Sequence, residues 1–410
     1  MSDRTASYDL VVFGATGFVG RILCRYLLDQ VGINGSTRWA IAGRSIERLE
    51  QLTVELDLEP GNLPQIKADA TDETSLQELC AQTKVVISTV GPYAIYGEPL
   101  VKACAETGTH YCDLTGEPQW VQQMIERYST AAQNSGAYIV HCCGFDSIPS
   151  DLGVYYLQQQ AKQRFGQYCD RVKMRLKSAK GGVSGGTIAS GINVIKEARA
   201  DRELRQALND AYSLCPSATT PSERPPLLVP VQYDPDFQSW VSPFVMAAIN
   251  TRIVLRSNAL LECAYGENFY YEEAVLTGSG ATGWLVAQGL SAGLRSAAIA
   301  AAFSPTRWLL QKTIVPKQGE GPSLRSQAEG FYDLRFWGTT SSQESFEVRL
   351  LGDKDPGYGS TAKLLGQTGL CMAQDLESSV RGGFWTPASL LGNALLRRLV
   401  ESAGLTFEVC

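Results

Sequence analysis

Along the first 143 residues, six short apolar runs each give way to a stretch whose apolar residues recur every three or four positions. The first run, "YDLVVF" (8–13), ends at "GATGFVG", after which Val19, Ile22, Leu23, Tyr26 and Leu27 fall on one helical face. "RWAIAG" (38–43) precedes Leu49, Leu52 and Leu56, with Ser45 placed to cap their helix. "QIKAD" (65–69) precedes Leu76 and Leu79, and "KVVISTV" (84–90) precedes a segment in which Pro99 suits a first helical turn and Gly108 a C-cap. "HYCDLTG" (110–116) leads into a predicted helix over 118–135 closed by Gly136, and "AYIVHCC" (137–143) is the sixth run. Each parallel return needs a crossover, so this alternation predicts a parallel sheet covered on both faces. Six such runs describe a doubly wound α/β Rossmann domain over residues 1–150.

Beyond residue 151 the alternation stops. "RVKMRLKS" (171–178) sets Val172, Met174 and Leu176 against Lys173, Arg175 and Lys177, the pattern of a half-buried strand whose basic row faces either solvent or an acidic substrate. The loop "GGVSGGT" (181–187) follows, then a helical stretch over 188–212. Its backbone N–H groups can bind an anion, with Ser184 and Thr187 as added donors, which makes it the candidate substrate loop; a plain strand-to-helix turn is the competing reading. Residues 215–236 are proline-rich and predict a surface loop or lid. "FYYEEAVL" (269–276), "FYDLRFWG" (331–338) and "SFEVRLLG" (345–352) predict antiparallel strands, so a second α+β domain with a mixed or antiparallel sheet occupies residues 151–354. A helix capped by Thr386 starts at Pro387 and ends at Gly404, before a short "LTFEV" strand. The long apolar run 284–303 is rich in alanine and contains Gln288 and Arg295, which favours a core or homodimer-interface helix over a transmembrane span; Trp284 and Trp308 keep a peripheral membrane or lipid contact open.

Charge narrows the partners. A net charge of -6 on 410 residues lacks the positive field that nucleic acid requires, leaving a small-molecule substrate as the expected partner. The 11 cysteines form no CxxC pair and the only histidines are His110 and His141, so no metal site is expected. The N-terminal residues lack a secretory pattern, and reduced thiols fit a cytoplasmic location.

The chemistry concentrates where strands end. Gly14-Ala-Thr16-Gly17-Phe18-Val19-Gly20 is a variant of the dinucleotide fingerprint, placed directly after the first strand and opening the first helix. Missing side chains let a pyrophosphate approach the backbone, and the helix start offers unpaired N–H groups. At the end of the second strand stands Arg44-Ser45 instead of the acid an NAD site carries, which favours NADP(H), because a guanidinium fork suits a 2′-phosphate; a solvated surface charge is the competing reading of Arg44. Asp69 ends the third strand, placed to meet the adenine side of the cofactor or, beside Asp72, to start the next helix, and Ser88, Gly91 and Pro92 end the fourth at the nicotinamide side. Tyr93 is a candidate proton donor or a wall of that pocket. No Tyr-x-x-x-Lys pair is present, which removes short-chain dehydrogenase chemistry. Asp113 and Glu117 form an acid pair at another strand end, with cap or turn roles as the alternative. In "HCCGFDSIPSD" (141–151) strand alternation would put His141 and Cys143 on one face, a conceivable thiolate–imidazole pair beside the commoner core reading. Ser147 or Ser150 can cap the next helix and Asp151 suits its dipole, which leaves Asp146 as the acid available for substrate or catalysis.

Together "YDLVVFGATGFVG", "AGRS", "STVGPY", "YCDLTGE", "GFDSIPSD", "GGVSGGT", "GEGPS", "DPGYG" and "GGFWTPASLLGNALLRRL" resemble the saccharopine dehydrogenase-like oxidoreductases, including the trans-acting enoyl reductase branch. The resemblance implies an NADP-binding Rossmann domain, a second α+β domain and a C-terminal segment, 355–410, returning to the first. It also implies reduction of an activated C=C or C=N bond in a small organic or lipid-like substrate. The alternative is a non-catalytic NADP-binding interaction protein associated with lipid or membrane.

Overall fold

Two seven-stranded sheets organise the chain. The computed structural model describes residues 6–181, 191, 192, 194, 196, 202–216, 223–303, 329–376 and 380–410. Ser184 and Thr187, and with them the candidate substrate loop, lie outside the described residues.

The first sheet contains β1 (Tyr8–Phe13), β2 (Trp39–Gly43), β3 (Gln65–Lys67), β4 (Thr83–Ser88), β5 (His110–Asp113), β6 (Tyr138–Val140) and β13 (Gly383–Trp385). Its order is β13-β6-β5-β4-β1-β2-β3 and every pairing is parallel. The order reverses between β1 and β4, which opens a crevice above their carboxyl ends. Alternation along β1 divides the core: Leu10 and Val12 join one buried cluster, Val11 and Phe13 the other. The first cluster includes Leu23 and Leu27 of α1 (Phe18–Val31) and Leu49 of α2 (Ile46–Glu55); the second includes Leu76 of α3 (Glu73–Gln82), with α4 (Tyr93–Tyr96), α5 (Glu98–Thr107) and α6 (Pro118–Ser135) on the same side. β13 is the strand that the pattern of apolar runs does not reveal. It is only three residues long and reaches its place beside β6 from the far end of the chain.

The second sheet contains β7 (Cys169–Lys180), β8 (Gln232–Asp234), β9 (Ser239–Pro243), β10 (Tyr270–Gly278), β11 (Phe331–Thr340), β12 (Ser345–Gly352) and β14 (Leu405–Val409), ordered β14-β12-β11-β7-β10-β9-β8. All neighbours are antiparallel except β7 and β10, which run parallel, contrary to the expectation for β10. The intervening chain, with α8 (Arg202–Leu208) and α9 (Ala247–Leu260), is long enough to cross over. The link between the sheets is α7 (Ile148–Phe165), which packs on β7, β11 and β12. The last segment serves both sheets. α11 (Thr361–Gln374) lies on α1, β1, β4 and β5, β13 extends the first sheet, and β14, after α12 (Pro387–Glu401), extends the second.

Two expectations from residue pattern are corrected. Arg175 does not face solvent: it is fully buried, its Nε donating to Asp234 Oδ2 at 2.8 Å and its Nη2 to Glu272 Oε1 at 2.5 Å. The β8–β9 end of the sheet brings Asp234 over that face, and a charge can stay buried only when so paired. Nor is the alanine-rich run a core helix. α10 (Gly280–Ala302) buries Gly283, Ala287, Ser291 and Ala301, while most of its other positions are exposed.

Candidate active site

The fingerprint glycines have three distinct surroundings. Gly14 takes a φ of 86°, and a Cβ there would lie 2.7 Å from Val90 Cγ2, so the tight turn excludes side chains. At Gly20 a Cβ would stand 2.4 Å from the Gly14 carbonyl oxygen, which seats α1 closely on the turn. At Gly17 it would meet only that same oxygen, at 3.2 Å, and otherwise open space. Gly17 is also the N-cap of α1, which has no side-chain cap and no acid in its first turn. The exposed backbone donors and positive dipole end therefore face an open site that fits a pyrophosphate. Thr89, which the residue pattern did not single out, locks the turn to β4: its amide donates to the Phe13 carbonyl at 3.0 Å and its hydroxyl lies 3.0 Å from the Gly14 carbonyl.

Beside this turn, Arg44 is exposed, with no hydrogen-bond partner among the described residues. Ser45 is engaged as the N-cap of α2, accepting from the Arg48 amide at 3.3 Å and donating to Glu47 Oε2 at 2.6 Å. Asp69 Oδ1 accepts from the Thr71 amide and hydroxyl, both at 2.9 Å, and these bonds, aided by the Arg44 charge, hold its carboxyl below the usual range.

At the end of β4, Ser88 is buried and Gly91 joins Pro92 through a cis peptide. Tyr93 is buried too. Its hydroxyl donates to the Ser88 carbonyl at 2.9 Å and accepts from the Leu114 amide at 3.4 Å, and burial, with Asp113 nearby, pushes its phenol well above the ordinary value. The Tyr93 hydroxyl is thereby engaged inside the core, between the ends of β4 and β5.

The acids of β5 and its following turn are also occupied. Glu117 accepts from the amides of Tyr93 at 3.0 Å and Ala94 at 3.2 Å, capping α4. Asp113 Oδ2 meets His141 Nδ1 at 2.7 Å and accepts from Tyr111 Oη at 3.0 Å, while Oδ1 accepts from the amides of Thr115 and Cys142, both at 3.1 Å. One carboxylate thus ties the ends of β5 and β6 together. Strand alternation does not extend to the cysteines, because β6 stops at Val140 and Cys142 takes a φ of 63°. The imidazole partner is Asp113, not Cys143, whose thiol donates to the Val140 carbonyl at 3.4 Å. Burial, the largest influence on both thiols, raises Cys142 and Cys143 well above the ordinary range.

The loop after β6 lies beside the turn that follows β5. Asp146 is half-buried, with Oδ2 3.7 Å from where a Gly116 Cβ would be. Ser147 is the N-cap of α7 by position, yet its hydroxyl makes no cap bond: held at a φ of 96°, it donates to Asn250 Oδ1 at 3.1 Å. Asn250 Nδ2 donates in turn to Glu273 Oε2 at 3.0 Å, whose other oxygen accepts from Tyr271 Oη at 2.7 Å. Asp151 does not merely complement the helix dipole, since it accepts from Ser257 Oγ at 2.5 Å and from the Ala388 amide at 2.8 Å. The C-terminal segment closes the site: the Phe145 amide donates to Thr361 Oγ1 at 3.0 Å, and Tyr358 packs edge-on against Phe18.

Residues 10–140 match the model of the saccharopine dehydrogenase NADP binding domain. A putative trans-acting enoyl reductase of Mycobacterium tuberculosis is 39% identical over 425 aligned residues, covering 100% of this chain and 99% of the relative. This chain belongs to the saccharopine dehydrogenase-like family. A trans-acting enoyl reductase of Mycobacterium bovis is 37% identical over 97% of each chain. Apo saccharopine dehydrogenase (L-Glu forming) of Saccharomyces cerevisiae has the same fold, with a TM-score of 0.53 at 13% identity over 98% of this chain and 99% of that one. As a member of the saccharopine dehydrogenase-like family, the protein is an NADP-dependent oxidoreductase. NADP(H) fits the residues present: an open Gly17, an uncapped α1 and an exposed Arg44 lie around one crevice.

Proposed function

We infer that this saccharopine dehydrogenase-like protein reduces the carbon–carbon double bond of an enoyl substrate with NADPH. The carrying observation is that identity to trans-acting enoyl reductases spans 97 to 100% of the chain, beyond the NADP-binding residues 10–140. A match confined to the cofactor domain would speak for the cofactor alone, because substrate selection rests on the walls that the second domain contributes.

When bound, NADPH supplies the hydride, which adds to one carbon of the double bond while a proton completes the other. The chain's task is then to hold, orient and exclude water. Gly14, Thr16, Gly17, Phe18, Val19 and Gly20 would hold the pyrophosphate, Arg44 and Ser45 the 2′-phosphate, and Asp69 the adenine side. Ser88, Gly91 and Pro92 would back the nicotinamide side. The proton-handling role is assigned to Asp146, a half-buried acid in the loop after β6 with Oδ2 beside Gly116 in the turn after β5.

The test is NADPH oxidation by the purified protein with 2-enoyl thioesters, compared with imines and aldehydes. Turnover confined to enoyl thioesters and lowered by Asp146→Asn supports the assignment. Turnover with imines alone replaces it by C=N reduction, and stoichiometric NADPH binding without turnover on any class replaces it by a binding protein.

A further inference from the structure

Six of the fifteen large hydrophobic residues exposed among the described residues fall between positions 284 and 303: Trp284, Leu285, Val286, Leu290, Ile299 and Phe303. The concentration has a geometry. α10 touches β9 and β10 and buries Gly283, Ala287 and Ser291, which recur every four residues and form one narrow stripe. Leu285, Ala292 and Ile299, spaced by seven, lie on the side away from that stripe, and Leu285 and Ile299 are 62% and 61% exposed. Gln288 and Arg295, again seven apart, share a flank between the two. The helix therefore shows an apolar ridge outward and a polar edge beside it. Soluble chains rarely leave so continuous an apolar surface uncovered.

Charge identifies what covers it. From Ala274 to Gly319 the sequence has no Asp or Glu but contains Arg295, Arg307, Lys312 and Lys317, in a protein whose net charge is -6. This stretch therefore carries none of the negative charge that would repel an anionic surface. An apolar ridge with tryptophan near one end, an arginine on its flank and a basic, acid-free sequence around it is the composition of a helix lying in a lipid interface. We propose that α10 docks the protein on the surface of an anionic lipid bilayer, with Leu285, Ala292 and Ile299 entering the headgroup–acyl boundary and Arg295 meeting lipid phosphates. The helix does not cross the bilayer, because its Gly283–Ser291 stripe stays on the second sheet. This docking does not depend on the enoyl reductase assignment.

Co-sedimentation of the full chain with vesicles tests it. Expected are binding to equimolar phosphatidylcholine and phosphatidylglycerol, at least roughly tenfold weaker binding to phosphatidylcholine alone, and a similar loss in Leu285→Glu/Ile299→Glu. Val400→Glu, at another exposed apolar position, should bind as the wild type does. Unchanged NADPH affinity in the double variant establishes that it folds; if it does not fold, Leu285→Gln/Ile299→Gln takes its place. The proposal is overturned if the wild type stays in solution, if the double variant binds equally well, or if sedimentation velocity finds a dimer that the double variant dissolves, since a second copy would then cover the face.

Discussion

Phe18, the first residue of α1, meets Tyr358 edge to face with ring centroids 4.8 Å apart. Tyr358 sits in a turn (Pro356–Ser360) held by Asp355, whose carboxylate accepts from the amides of Tyr358 at 3.0 Å and Gly359 at 2.9 Å. Thr361, the next residue, accepts from the Phe145 amide. The dinucleotide turn, the loop after β6 and the C-terminal segment are thus one packed unit, so a change in any of them is felt at the cofactor crevice.

Gly17 and Gly20 separate binding from folding. Gly17→Asp puts a good N-cap residue on α1 and crowds only the Gly14 carbonyl oxygen, 3.2 Å from its Cβ, so the melting temperature should change little, while its negative charge lowers NADPH affinity by roughly 100-fold. Gly20→Ala should lower the melting temperature, because its Cβ would lie 2.4 Å from the Gly14 carbonyl. Calorimetry and NADPH fluorescence titration distinguish the two; the reverse pattern would mean that Gly17 does not face the cofactor.

Arg44→Ala should weaken NADPH by roughly 10- to 100-fold and leave NADH nearly unchanged, since only the former carries the 2′-phosphate. Equal losses for the two dinucleotides in the same titration would refute the assignment.

Tyr93→Phe removes a hydroxyl that joins the Ser88 carbonyl to the Leu114 amide in the core. The expected cost is about 1–3 kcal/mol of stability by urea denaturation, with kcat within about threefold of the wild type. A large fall in kcat at unchanged stability would restore Tyr93 as proton donor.

Burial raises the Asp151 carboxyl to about 7 from an ordinary 3.8, against the lowering effect of Ser257 and the Ala388 amide. The folded chain keeps a proton that the unfolded chain releases near pH 3.8, so this contribution to stability is fully present below that value and is lost as pH rises through about 7. The whole effect is on the order of 4 kcal/mol. Asp151→Asn, isosteric with the protonated acid, should flatten the decline in urea midpoint between about pH 5 and about pH 8 and exceed the wild type at the upper end. Parallel profiles for the two proteins would show that Asp151 is not the group responsible.

The NADP-binding half was legible because its signals are local. Strand and helix periods, the "GATGFVG" turn and the absence of an acid at Arg44 each sit within one strand–helix unit, and β1, α1 and α6 (Pro118–Ser135) fall where the pattern places them. Contacts between remote segments carry no such period. The pattern gave Tyr93 two roles, and only folding placed its hydroxyl on the Ser88 carbonyl; it favoured a core place for Cys143 with His141 as a conceivable partner, and folding buried the thiol and joined His141 to Asp113.

What the amino-acid order decides by itself is therefore the Rossmann frame and the chemistry of its turn, because adjacent residues set dihedrals, caps and alternating faces. What only the tertiary structure decided is which polar groups are already partnered, which strand from the far end completes each sheet, and that α10 lies outside the core. Partnering and burial depend on chain returning from hundreds of residues away, and a helix rich in alanine and glycine reads the same whether another helix covers it or none does.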